Sequence, residues 1–172
     1  GIDIGEGNKE FIQTTVGDDF DTAWSMAQEP FQNHSELLFV PSDVAVEIDG
    51  ERVAKQVDEL PVPHPIYDIG LQTLMRLRPI MMNAGCVLWN GPASYFEKPA
   101  FAFGTIEILN MCTETAAMTI VGGGHTSALV NSRGVGDKVT HNSTGGGACL
   151  QMLCGDKMPV IEALAHSAKK FS

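Results

Sequence analysis

Apolar positions along the chain follow two rhythms, short consecutive aliphatic or β-branched runs and longer stretches at helical spacing. Phe20, Trp24, Ala27 and Phe31 recur at helical spacing over 18–32, which predicts an amphipathic helix lying on a sheet behind an Asp cap. Leu37-Leu38-Phe39-Val40 and Val44-Ala45-Val46-Glu47-Ile48, hinged at Pro41, predict a strand and its extension, apolar enough for a parallel strand buried on both faces. Residues 49–65 turn charged, and Pro61, Pro63 and Pro65 mark them as a loop. Tyr67-Asp68-Ile69-Gly70 is expected to open a helix capped by Asp68, carrying Leu71, Leu74, Met75 and Leu77, and Pro79 is expected to kink or end it early. Cys86-Val87-Leu88-Trp89 predicts a second buried strand, 99–115 a helix with Pro99 in its first turn, and 119–121 and 139–141 two further strands. The last helix, 159–170, ends in a basic turn. Residues 1–17 have no clear period and read as a connecting stretch; the chain opens without Met, as though something upstream had been removed. The alternation predicts an α/β fold with a mostly parallel sheet, right-handed crossovers and ligand chemistry at the carboxyl ends of the strands.

Two glycine-rich turns stand at those ends: Val121-Gly122-Gly123-Gly124-His125 and Asn142-Ser143-Thr144-Gly145-Gly146-Gly147-Ala148, each leading into a helix-forming stretch. Three glycines remove the side chains that keep a ligand off the backbone. A helix starting there adds unpaired amides and the positive end of its dipole, an arrangement suited to phosphate. A tight strand-to-helix corner that binds nothing is the other reading of either turn. Neither turn fits the dinucleotide fingerprint, because Ser127 and Leu150 stand where a third glycine is required, and neither carries the Lys-Ser/Thr of a Walker A loop.

With 172 residues and 44% hydrophobic content the chain fits one domain with a core. Its 11 basic and 21 acidic residues give a net charge of −10, which argues against general nucleic-acid or anionic-membrane binding, so any phosphate must be gripped locally. No apolar run is long enough to span a membrane and the start of the sequence shows no basic stretch followed by an apolar one, so a cytoplasmic protein is expected. Cys86, Cys112, Cys149 and Cys154 show no metal-ligand spacing and read as buried reduced thiols; no metal ligand is assigned. His141 reads as a packed histidine, His34, His64 and His166 as surface or loop residues, and Trp89 with Met81 and Met82 as core.

Five motifs in order then carry a resemblance. Leu88-Trp89-Asn90-Gly91-Pro92, Phe96-Glu97 with Phe103-Gly104-Thr105, the Gly122 turn, the Thr140-to-Ala148 turn and Pro41-Ser42-Asp43-Val44-Ala45-Val46 resemble the C-terminal half of phosphoglycerate kinase, and Leu60-Pro61 and Asp68-Ile69-Gly70 agree. The resemblance implies reversible phosphoryl transfer between 1,3-bisphosphoglycerate and ADP, giving 3-phosphoglycerate and ATP, with Mg²⁺, in glycolysis and gluconeogenesis. It implies two doubly wound, Rossmann-like domains with helices on both faces of each sheet, of which residues 1–172 form an incomplete C-terminal nucleotide-binding domain.

By position, Asn90 would reach the nucleotide phosphates, Pro92 would lie against the nucleoside, and Glu97 would accept the ribose hydroxyls. Gly122, Gly123 and Gly124 would let the phosphate chain pass close, and Ser143, Thr144, Gly145, Gly146 and Gly147 would cradle the transferred phosphoryl group, the three glycines through their amides. The other reading of Asn90 is a turn cap before Gly91, and that of Glu97 a solvated loop acid. Where many members have an Asp that helps hold magnesium, this chain has His125, as associated with archaeal members; imidazole is a poor ligand for so hard a cation. The family's catalytic lysine, its adenine-side glycine pair and the arginines that bind the acid substrate are absent, so the chain alone is expected not to turn over. In a sheet of order 3-2-1-4-5-6 its strands would be the third to sixth. The 37–40 strand would then not pair with 86–89, and an oligomer or a companion fragment is the expected partner. A stand-alone α/β phosphate- or nucleotide-binding module without catalysis is the alternative.

Overall fold

The computed structural model describes residues 2–171. They form two compact units, one running through Ile80 and including Ala93–Ile108, the other comprising Met81–Pro92 and the chain from Leu109 onward.

The first unit is built on an antiparallel sheet of order β2-β1-β3: β1 (Asp43–Ile48), β2 (Glu51–Gln56) and β3 (Ile66–Ile69). Asp49 and Gly50 join β1 to β2, with φ of 51° and 84°; two positive-φ residues between the pair Ile48 and Glu51 are the geometry of a type I′ hairpin. The expected parallel strand at 44–48 is therefore the middle of an antiparallel sheet, and part of the expected loop at 49–65 is strand β2. Leu37–Val40 does not form a strand. A 3-10 turn covers Ser35–Leu37 and the following residues have no ladder partner. Two helices precede the sheet, α1 (Glu6–Val16), where a connecting stretch was expected, and α2 (Phe20–Asn33). α2 lies where the spacing predicts it, but Trp24 and Phe31 are exposed, so its apolar face does not lie on a sheet among the described residues.

Two buried carboxylates organise this unit. Asp43 opens β1 and accepts the amides of Gln72 (3.0 Å) and Thr73 (2.7 Å), capping α3 (Leu71–Met82) from a distance in sequence. Asp68 lies within β3, not at the cap of α3. Its two oxygens each stand 3.1 Å from the amide of Gly104, at the start of α4 (Phe103–Glu114), and Arg52 reaches it at 3.2 Å. A Cβ on Gly104 would stand 2.2 Å from an Asp68 oxygen; only glycine admits the carboxylate. α3 runs through Pro79 to Met82, past the expected break. Val44, Ala45, Val46, Leu74 and Phe101 form the buried centre.

The second unit is a parallel sheet of order β4-β5-β6: β4 (Cys86–Asn90), β5 (Met118–Gly122) and β6 (His141–Ser143). β6 lies two residues beyond the predicted strand. Before it, Thr119 and Thr140 each donate an amide to the other's hydroxyl, at 3.1 and 3.0 Å. Helix α5 (Gly124–Ser132) follows β5, α6 (Gly146–Leu153) follows β6, and α7 (Pro159–Phe171) comes last. Trp89, Met111, Cys112, Val121, Val130 and Val139 are buried. Met81 is buried and Met82 half-buried, as core residues. β4 is less enclosed than expected: Cys86 is exposed and Leu88 retains 38% of its surface, because β4 has a strand on one side only among the described residues. Cys154 is exposed and Cys149 half-buried, so of the four thiols only Cys112 is a buried one. His141 is exposed, not packed. Among the described residues no helix is long and apolar enough to cross a membrane.

Candidate functional site

Register places three strand ends side by side. Asn90 pairs with Gly122, and Gly122 with Ser143, so the carboxyl ends of β4, β5 and β6 form one row. From each the chain leaves through a turn: Gly91 (φ 86°) and Pro92 after β4, Gly123 (φ 98°) into α5, and Thr144 with Gly145 into α6. A parallel sheet forces this arrangement, since both crossover helices must begin at the same edge. The sheet thus presents two helix starts together, with the unpaired amides of their first turns and the positive ends of their dipoles. The turns 121–126 and 140–148 contain no Lys or Arg, so their attraction for an anion comes from backbone dipoles.

The glycines divide into two groups. A Cβ on Gly123 would stand 2.8 Å from Asn90 Oδ1 and 3.2 Å from Thr126 Oγ1. One on Gly146 would stand 2.5 Å from the Gly123 nitrogen and 2.7 Å from Asn90 Oδ1. These glycines, and Gly122 with Gly146 Cα at 3.5 Å, let the three turns close on one another around the Asn90 amide. Gly124 and Gly147 have nothing within 4 Å of such a Cβ; both are exposed and open to an approaching group. Gly145 meets only Ser143 Oγ at 3.5 Å.

Side chains hold the turns in place. Thr126 donates its hydroxyl to the Gly122 and Gly123 carbonyls. Ser143 Oγ accepts the Gly145 amide at 3.1 Å, a local turn bond that leaves its hydroxyl hydrogen available. The Asn142 amide group donates to Asn131 Oδ1 at 3.1 Å, tying β6 to α5, while its Oδ1 is buried without a partner. The glycine pattern does not single out Thr126, although a Thr four residues after a strand-ending glycine is a recognisable back-bonding position. His125 sits exposed in the first turn of α5. Among the described residues no three His, Cys, Asp or Glu side chains gather as a metal site.

Asn90, Pro92, Gly122, Gly123, Gly124, Ser143, Thr144, Gly145, Gly146 and Gly147 therefore belong to one unit, and Glu97 to the other. Glu97 is exposed on the segment between Pro92 and the 3-10 turn Pro99–Phe101. That segment is anchored by Thr105, whose hydroxyl accepts the Ala93 amide (3.1 Å) and bonds Ser94 (2.6 Å). A cleft of about 750 Å³ in the same unit, lined by Phe11, Pro61, Pro63, Pro65 and Tyr67, contains none of the expected site residues.

The family model described as Phosphoglycerate kinase matches residues 1–156. The chain is 38% identical over 164 residues to a phosphoglycerate kinase of Methanopyrus kandleri, covering 95% of this chain and 40% of the relative. It is 40% identical over 146 residues to that of Methanococcus maripaludis, covering 84% of this chain and 35% of the relative. The crystal structure of phosphoglycerate kinase from Pyrococcus horikoshii superposes with a TM-score of 0.85 at 34% identity, over 98% of this chain and 42% of that one. The chain thus spans about two-fifths of the length of the relatives it matches. A match over 156 residues, archaeal relatives along nearly the whole chain and the shared arrangement of sheet and turns establish that the chain belongs to the phosphoglycerate kinase family.

Proposed function

We propose that the chain is the partial C-terminal, nucleotide-binding domain of a phosphoglycerate kinase, and that it takes part in reversible phosphoryl transfer between 1,3-bisphosphoglycerate and ADP. The observation that carries this reading is the row formed by Asn90, Gly122 and Ser143, from which two helices start with their open glycines, Gly124 and Gly147, exposed. Phosphoryl transfer requires little covalent chemistry from the protein and much positioning of charge. Backbone amides at two adjacent helix starts, with no side chain on the glycines to block approach, are suited to that task.

In this reading Gly124 and Gly147 let the nucleotide phosphates approach, and the amides of Gly145, Gly146 and Gly147 with the hydroxyls of Ser143 and Thr144 hold the group in transit. Gly122, Gly123 and Gly146 act one step back, allowing the turns to pack against Asn90. Asn90 contributes its amide group toward the phosphates, Pro92 a flat apolar surface for the nucleoside, and Glu97 a carboxylate for the ribose hydroxyls. The turns offer amides, hydroxyls and the imidazoles of His125 and His141 but no carboxylate, so Mg²⁺ fits here as a companion of the nucleotide. Bound through phosphate oxygens and waters, it would offset the charge of the phosphate chain. 3-Phosphoglycerate and the cationic side chains that bind it are assigned to parts of the family's fold outside these residues.

Titration calorimetry with ADP and ATP tests the reading. Gly147→Asp, which places a carboxylate where no atom now stands within 4 Å, should weaken both nucleotides by repulsion and blockage. Unchanged affinity would remove the turn from the site.

A further inference from the structure

Glu97 is exposed, yet the residue beside it is held from several directions. The Lys98 ammonium pairs with Glu47 on β1 and lies 5.6 Å from the centroids of both the Tyr67 and Phe101 rings. Those rings pack at 5.2 Å, edge to face, and Tyr67 stands 5.2 Å from the Tyr95 ring. The backbone is tied as well: Lys98 donates its amide to the Tyr95 carbonyl (3.1 Å), Phe101 donates to the Lys98 carbonyl (2.8 Å), and Tyr95 donates to the Tyr67 carbonyl (2.7 Å). β1 is the middle strand of its sheet and Phe101 is fully buried, so the anchor points are rigid.

An exposed ion pair adds little to stability. This one is more than a stray surface contact, since the Glu47 side chain is 19% exposed and two aromatic faces attend the cation. Its effect falls on the neighbouring backbone, which it fixes on both sides of the Lys98 α-carbon. A carboxylate that accepts two ribose hydroxyls must stand within a few tenths of an ångström of its place.

We propose that Lys98, clamped by Glu47 between Tyr67 and Phe101, is a positioning residue that sets the Glu97 carboxylate for the ribose hydroxyls of the bound nucleotide. The inference rests on the assignment of Glu97 to the ribose, and the test separates the two. Affinities for ADP and for 2′,3′-dideoxy-ADP are measured on the protein and on Glu97→Gln, Lys98→Met, Lys98→Arg and Glu47→Gln. Loss of a hydrogen bond to a charged group corresponds to about tenfold or more in affinity. Glu97→Gln should therefore bring the ratio of the two affinities close to one. Lys98→Met keeps the aliphatic stem and should lower the ratio several-fold while dideoxy-ADP binds as before, Glu47→Gln should act in the same direction, and Lys98→Arg should keep the ratio.

If Glu97→Gln collapses the ratio but Lys98→Met and Glu47→Gln leave it as in the parent, the positioning role is overturned and the ribose assignment stands. An equal loss for both nucleotides in Lys98→Met shows a merely structural anchor and overturns it too. An unaltered ratio in Glu97→Gln overturns both. Should Lys98→Met fail to fold, Glu47→Gln decides alone.

Discussion

The side-chain oxygen of Asn90 stands 2.7 Å from the place a Cβ on Gly146 would take, although 56 residues separate the two. Gly146 and Gly147 are neighbours of the same type in the same helix start, yet they play opposite parts. Gly146→Ala must push apart backbone atoms of the Gly123 turn, at 2.5 and 2.6 Å, so it should cost about 1–3 kcal/mol of stability, as overpacking does, and weaken nucleotide binding with it. Gly147→Ala meets nothing within 4 Å. It should preserve or slightly raise stability through helix propensity and weaken ADP binding alone. Thermal unfolding and calorimetry on the two variants check this; equal stability losses would contradict the division.

That division was not readable in the sequence, where both glycine triplets look uniform. What could be read were elements marked by their own residues: β4 and β5 as short apolar runs, and α7 from its basic last turn. β2 was hidden because it is an edge strand with Glu51, Arg52 and Lys55 along it, and edge strands carry charge. Its signal was the Asp49-Gly50 dipeptide, the common hairpin pair. Asp68 was expected at the wrong helix, and the capping by Asp43 went unread, for one tertiary reason. Asp43 caps a helix 28 residues later and Asp68 one 35 residues later, and periodicity within a window cannot register such partners.

These carboxylates should shape the acid limb of stability in opposite senses. Burial pushes Asp43 up, but the Thr73 hydroxyl and amide, the Gln72 amide and the Arg52 charge outweigh it, and its pKa lies below the ordinary 3.8. Its contribution is present above that value and lost as pH falls through the lower folded pKa. Burial pushes Asp68 above 3.8 in spite of Gly104, Arg52 and Ile69, so its contribution is present at low pH and lost as pH rises through the folded pKa. In urea unfolding at a series of pH values, the cost of Asp43→Asn should therefore shrink below about pH 4. The cost of Asp68→Asn should be smaller at pH 7 than at pH 3. Parallel pH profiles for both variants and the parent would refute the assignment.

The thiols should separate by burial. Desolvation raises Cys112 to about 11, while Cys86 and Cys154 are exposed. A thiolate-selective disulfide reagent at pH 8 should modify Cys86 and Cys154 in the folded protein and reach Cys112 only after denaturation. Native-state labelling of Cys112 at the rate of the other two would contradict its place in the core.

His125 bears on the metal. It is exposed in the first turn of α5, at a helix start that favours negative charge, and it brings a nitrogen where a hard cation selects oxygen. His125→Asn should therefore change the magnesium dependence of ADP binding very little. His125→Asp supplies an oxygen ligand at the same position and complements the dipole; it should strengthen binding of ADP with magnesium relative to ADP alone. Titrations with and without Mg²⁺ on the parent and both variants check this. A marked loss of magnesium dependence in His125→Asn would show that the imidazole does reach the cation, directly or through a bound water.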